Sequence, residues 1–184
     1  MEATAQRDPT PNARPDIQLA DTVVRDPETV TRQFARLSEH MKHLKNGDAK
    51  RGEKLFADAS KSLCITCHVK GDQGVNFGPD LTKIGAVRSK RDLLEAILFP
   101  SISIARYYEL VHVRTRQSEV SGLLRKEAVD ALILGAAPGA EQAISLEDIV
   151  EAKYSNTSLM PEVFDGLLSP QEIADLIAYL SKAR

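Results

Sequence analysis

Cys64-Ile65-Thr66-Cys67-His68 sets two thiols three positions apart, with an imidazole directly after the second. This is the spacing of c-type haem attachment. Each sulfur of such a pair adds to one vinyl group of the porphyrin, and a short turn keeps the two sulfurs at the required separation. The next side chain, His68, reaches the iron as proximal ligand. A chain that folds around this pentapeptide must also supply an apolar cleft for the macrocycle, an acceptor for the second ring nitrogen of His68 and, where the iron is closed, a donor on its far side.

The loop after the motif, Gly71 to Leu81, is rich in turn formers and can bring Pro79 beside His68. A backbone carbonyl there would serve as the acceptor that a metal-bound imidazole needs. For the far side there are three methionines. Met1 and Met41 are poorly placed, which leaves Met160, followed by a proline that fixes the backbone and flanked by Leu159, Phe164 and Leu167. The competing reading of Met160 is core filling, for which a flexible thioether is well suited.

Helical and alternating patterns divide the chain. Residues 1–21 are rich in Ala, Pro, Asp and Thr without periodicity and read as a flexible tail. Residues 22–47 carry an amphipathic helix capped by Asp26-Pro27-Glu28, with Val30, Phe34, Leu37, Met41 and Leu44 as its apolar stripe. On that stripe Met41 is core, and His40 and His43 lie off it as exposed residues, a second metal site or an alternative haem ligand being the other readings. Residues 48–106 hold a helix with Gly52, Leu55, Phe56 and Ala59 on one face, the cysteine motif, and a further helix capped by Ser89 and closed by Pro100. A glycine inside a helix costs about 1 kcal/mol relative to alanine and marks a close crossing, for which Tyr179 is the expected partner.

Over residues 107–157 the period changes to alternation. Five short stretches, at 109–115, 120–124, 131–134, 142–145 and 149–152, read as strands of a small antiparallel sheet or barrel. His112 reads as a strand residue rather than a ligand. Residues 158–184 return to helical signals. Ser169-Pro170-Gln171-Glu172 is a capping box with proline in the first turn, and Ile173, Leu176, Ile177 and Leu180 share one face.

Composition narrows the function. Apolar content of 42% supports a core, and aromatic content is only 5%, so a buried macrocycle would supply flat apolar surface that aromatics usually provide. A net charge of −2 argues against nucleic-acid binding. No stretch is apolar for the roughly 18 residues a membrane helix needs. Residues 48–106 carry 10 basic and 7 acidic side chains, and residues 107–157 carry 5 and 8. Lys83, Arg88, Lys90 and Arg91 read either as a solvated surface or as a docking patch for an acidic partner. Both cysteines fall in the one motif, which leaves none for a structural disulfide.

Through Gly52-x-x-Leu55-Phe56, the Cys-x-x-Cys-His motif, Gly78-Pro79-Asp80-Leu81, Leu159-Met160-Pro161 and the terminal Glu172 to Leu180, the chain resembles the cytochrome c domain. Met160 lies about 90 residues beyond His68, well over the common separation, because of the β-rich stretch. An inserted sheet of this kind resembles the haem-binding domain of planctomycete and verrucomicrobial bacteria, over residues 48–184. The resemblance implies a mainly α protein, a cytochrome c fold with a small antiparallel β-sheet or barrel insertion that makes it α+β overall. It implies one haem c held by Cys64 and Cys67, axial ligands His68 and Met160, and the Pro79 carbonyl as acceptor for His68. It leaves the helix within 22–47 unexplained, except as the end of a preceding domain.

The expected function is outer-sphere electron transfer, not catalysis, between a dehydrogenase donor and a cytochrome or oxidase acceptor. Covalent haem attachment takes place outside the bacterial inner membrane, so the expected location is the periplasm. The first residues have no apolar h-region, and the expectation is a mature or excised piece with an added initiator Met. The alternative function is a sensor of CO, NO or O2 with a displaceable Met160. A peroxidase lacks an assignable distal His/Arg pair, and a zinc site would need two further ligands at finger spacing. The surroundings are not the βαβ pattern of a thiol-redox site.

Overall fold

Local signals start the helices where the sequence places them. In the computed structural model, which describes residues 16–182, the Asp26 carboxylate accepts the Thr29 N–H at 2.8 Å to open α1 (Pro27–Met41). Asp48 accepts the N–H groups of Lys50 and Arg51 to open α2 (Ala49–Ala57). Capping boxes at Ser89 and Ser169 begin α4 (Lys90–Leu98) and α6 (Pro170–Leu180). Two single-turn helices, α3 (Ile84–Val87) and α5 (Phe164–Leu167), complete the set.

The helices share one core, centred on Phe56, Leu94, Leu98, Ile173, Leu176 and Ile177. Helix α2 crosses α6 at Gly52, as its position inside a helix predicts. A Cβ there would lie 1.9 Å from the Asp175 carbonyl oxygen and 2.9 Å from the Tyr179 Cβ, so only glycine admits this approach. The Phe56 and Tyr179 rings meet beside it at 5.7 Å between centroids. The crossing is also pinned by charge. The Arg51 guanidinium donates from Nε and Nη2 to the Asp175 carboxylate at 2.6 and 2.8 Å, and the Asp48 N–H donates to the same group at 2.7 Å.

Helix α1 packs on α4 and α6 but is rotated from the expected stripe. Leu37 and His40 face inward, while Met41 is 42% exposed and Phe34 lies outside. His40 is therefore a buried residue, 8% exposed, and not a surface one. Its Nδ1–H donates to the Arg36 carbonyl at 3.0 Å. The buried face runs through Leu37 and His40, with Leu37 in the helical core, so Phe34 and Met41 fall at its edges and face solvent.

The mainly α expectation is overturned. The protein is α+β, with a five-stranded antiparallel sheet in the order β6-β5-β4-β3-β7. Its strands are β3 (Leu110–Thr115), β4 (Glu119–Glu127), β5 (Ala131–Ala137), β6 (Ala140–Ser145) and β7 (Ile149–Tyr154). A separate two-stranded ribbon, β1 (Val69–Lys70) and β2 (Gln73–Gly74), follows the cysteine motif. The five expected strands are all present, but they form a layer with a core of its own, built on Val111, Val113, Leu132, Leu134, Ile144 and Ala152. Strands β4 and β5 run through Lys126-Glu127 and Gly135 to Ala137, where turn residues hid their extent.

The sheet curls. A flat arrangement would put its outer strands about 19 Å apart, yet β6 and β7 are joined by one 3-10 turn, Leu146–Asp148, whose reach is about 8 Å. The Leu146 N–H donates to Asp130 O at 2.9 Å, and the Asp148 carbonyl accepts from Arg116 N–H at 3.2 Å, which seats this connector over the open side.

Of the expected tail at 1–21, residues 1–15 lie outside the described residues and the remainder is not a free tail. Gln18 pairs alongside β7, its N–H donating to Ala152 O and its carbonyl accepting from Tyr154 N–H, each at 2.9 Å. Ile17 packs against the sheet core. Among the described residues, no helix is long and apolar enough to cross a membrane.

Candidate functional site

The cysteine motif sits in a short, backbone-locked turn. Leu63 takes a left-handed conformation (φ 60°) and leads into a 3-10 turn at Cys64–Thr66. The Cys64 carbonyl accepts the N–H groups of Cys67 at 3.2 Å and His68 at 2.9 Å. Beneath the turn the fully buried Ser62 hydroxyl donates to Leu55 O at 2.6 Å, tying the motif to α2. The two thiols are not joined to one another. Burial pushes the Cys64 thiol pKa up, with the Ser62 hydroxyl opposing it.

The loop that follows folds back over the motif. Phe77 and Gly78 donate their N–H groups to Cys67 O at 3.1 and 2.6 Å, and Leu81 donates to Val69 O at 2.8 Å. This lays Gly78 against the His68 ring so closely that a Cβ would lie 2.7 Å from Cε1. It also places the Pro79 carbonyl 2.8 Å from His68 Nδ1. A carbonyl can only accept, so Nδ1 carries the proton and the lone pair is on Nε2. Burial lowers the His68 pKa, with the Pro79 bond opposing it, which favours the neutral ring.

His68 looks into a divided apolar cleft. One cavity, about 310 Å³, is lined by Cys64, Leu93, Ile97, Phe99 and Leu176 among others, and the second, about 230 Å³, by Leu63, Cys67, Phe77, Leu123 and Leu159. His68, Pro79, Tyr108, Ser158, Met160 and Phe164 line both. Each thiol thus opens on one side of a void bordered by both His68 and Met160. The cavities together fall within the roughly 300–1,000 Å³ usual for a ligand site.

The far wall is a limb running from β7 to α5. Met160 lies against the helical core, and its N–H donates to the Ser158 hydroxyl at 3.1 Å. The Ser158 N–H in turn donates to the Ser101 hydroxyl at 3.1 Å. All five residues singled out in the sequence, Cys64, Cys67, His68, Pro79 and Met160, therefore converge on this cleft.

Several contributors carried no local signal. Tyr108 and Leu123 belong to the β-rich stretch yet line the cleft. Arg125 occupies a register break of β4, between Leu124 and Lys126; bulges of this kind re-aim a side chain. Its guanidinium lies 4.4 Å from the Phe77 ring centroid, and Nη2 donates to Phe77 O at 2.7 Å. The sheet is thus fastened to the loop that orients His68.

The other candidates stand apart. His112 lies on the exposed side of β3 with its Nδ1 hydrogen-bonded to the Ser121 hydroxyl. Lys83, Lys90 and Arg91 are exposed, and Arg88 reaches the rim of the larger cavity. Among the described residues, no group of three or more His, Cys, Asp or Glu side chains is placed to hold a metal ion. No family model matches the chain, and no curated protein matches it.

Proposed function

We propose that this chain is a monohaem c-type electron carrier of the cytochrome c kind. Cys64 and Cys67 would hold the macrocycle by thioether bonds, one on each side of the divided cleft, and His68 Nε2 and the Met160 thioether would be the axial donors. The haem would supply a one-electron Fe(III)/Fe(II) couple. The observation that carries the reading is the hydrogen bond of His68 Nδ1–H to Pro79 O, at 2.8 Å. It fixes the tautomer whose Nε2 lone pair is free, in a cleft that both thiols and Met160 also border.

The chain's own residues support this chemistry in three ways. The Pro79 carbonyl raises the basicity of the imidazole and holds its plane. Apolar walls from Leu93, Phe99, Leu123, Phe164 and Leu176 exclude water, and His/Met donation with a dry surround favours a raised reduction potential. With His68 and Met160 both as donors the iron would have no position left for a substrate, which favours a carrier over a catalyst. The proposed partners are a dehydrogenase donor and a cytochrome or oxidase acceptor, in the periplasm, where covalent attachment takes place.

One observation favours the sensor alternative. The Met160 limb has no regular secondary structure between β7 and α5, so its thioether is the more displaceable donor.

The test is expression with a haem-attachment system. The protein should retain haem under denaturing conditions, and Met160→Ala should abolish the sulfur-to-iron charge-transfer band of the oxidised form. Haem lost on denaturation would sink the attachment, and a band indifferent to the substitution would sink the sixth ligand. CO binding to the reduced wild-type protein would favour the sensor.

A further inference from the structure

The helix that the cytochrome resemblance leaves unexplained grips the Met160 limb. Arg36, on the third turn of α1, donates from Nε to Asp165 Oδ2 at 2.8 Å, and its Nη2 lies 2.6 Å from the same carboxylate. Its Nη1 reaches Glu162 at 3.3 Å. The guanidinium also stacks on Phe99, 4.7 Å from the ring centroid, and Phe99 is a wall of the larger cavity. Asp165 follows Phe164, which borders both cavities, and Glu162 is two residues beyond Met160.

At its other end the limb is held by the same N-terminal segment. The Asp21 carboxylate pairs with Lys153 at 2.6 Å, and the Asp21 carbonyl accepts from the Asn156 amide. Residues 16–36 therefore form a strap that meets the limb before and after Met160. The two ends are unequal. Asp21 is 85% exposed and its pair is screened by solvent, whereas Arg36 and Asp165 are 37% and 23% exposed and joined through two guanidinium nitrogens.

Resting on the axial role of Met160 given above, we propose that Arg36 is a positioning residue for the sixth ligand, holding the 155–165 limb so that the thioether stays at the iron. The limb contributes no helix or strand from Ser155 to Val163 and makes few backbone hydrogen bonds of its own. Its position is set by side chains, and Arg36 supplies the strongest of them. Arg36 does not line the cleft, and its bonds run to Asp165, Glu162 and the Phe99 ring, so it acts through them.

The experiment uses the full haem-loaded chain. Arg36→Gln should diminish the charge-transfer band and raise the rate of CO association with the reduced protein about tenfold, the change expected when one charge-assisted pair is lost. Asp165→Asn, which breaks the pair from the limb, should do the same, and Arg36→Lys should restore part of the band. Arg51→Gln removes an ion pair of the α2–α6 crossing and should lower the melting temperature without moving band or CO rate. Wild-type values in Arg36→Gln and Asp165→Asn, with the band still dependent on Met160, overturn the role of Arg36 alone. An equal response to Arg51→Gln at matched loss of stability also overturns it. A wild-type band that survives Met160→Ala overturns both this role and the His/Met reading.

Discussion

The two sides of the cleft are held by different means. On the His68 side, main-chain bonds do most of the holding, with Ile65 O, Cys67 O and Val69 O all accepting from the loop that carries Pro79 and Arg125 adding one side-chain bond to Phe77 O. On the Met160 side the chain is pinned by side chains from elsewhere, Ser101, Asp21 and Arg36. A main-chain lock fixes a donor with little dependence on distant residues. A side-chain lock makes the donor adjustable and exposes it to remote substitution. Under the proposed function, the proximal ligand is the fixed half of the iron site and the distal ligand the tunable half.

The largest test of the fixed half is Gly78→Ala. A Cβ 2.7 Å from the imidazole forces apart the ring and a loop that is bonded to Cys67 O at both Phe77 and Gly78. Overpacking of this kind costs about 3 kcal/mol where neither neighbour can give. The expected outcome is a lower melting temperature together with loss of the low-spin spectrum. A variant with unchanged spectrum and stability would mean that the proximal loop yields easily, and the contrast between the two sides would fail.

Asp175→Asn tests what both sides share, the α2–α6 frame. Burial alone would raise the Asp175 pKa, but the Arg51 guanidinium, the Asp48 N–H and the Gln171 amide outweigh it and hold the carboxyl below its usual value. A depressed folded pKa contributes stability above the unfolded value, near 3.9, which is lost as pH falls through the folded pKa. The variant should be about 2 kcal/mol less stable at pH 7, the cost of unmaking a buried charged acceptor. In denaturant titrations that gap should narrow below about pH 4. A gap constant with pH would remove the ion pair from the account of the crossing.

The same contrast explains what was legible in the sequence. Cys64, Cys67, His68 and Pro79 fall within 16 consecutive residues, and their lock consists of bonds between near neighbours, so motif and turn chemistry expose it. Met160 stands out in the sequence only by elimination among three methionines and by resemblance, because nothing beside it encodes Arg36, which acts across more than 120 residues. The helical frame was readable from caps and from Gly52, whose place inside a helix announces a crossing. The weight of the sheet was not. Alternation marks strands, but it does not say that β6 and β7 meet through one short connector and enclose a separate core. Arg125 shows the same limit. A register break in β4 turns its side chain toward Phe77, and pleat periodicity is blind to a break.

The smallest expected effect is the sharpest on the contrast, because it compares two hydroxyls doing similar local work. Ser158 accepts the Met160 N–H at 3.1 Å, and Thr66, inside the cysteine turn, donates to Leu63 O at 2.6 Å. Either bond is worth about 1 kcal/mol at most, so neither Ser158→Ala nor Thr66→Ala should move the melting temperature much. Their effects at the site should differ. Around Thr66 the backbone bonds to Cys64 O and Cys67 O remain, and the spectrum should stay as it is. Around Ser158 the substitution takes away the acceptor of the Met160 N–H while the backbone bond to Ser101 remains, so the charge-transfer band should weaken and CO should enter the reduced protein faster. Equal responses from the two variants would mean that the two sides are locked alike, and the distal donor would then be as fixed as the proximal one.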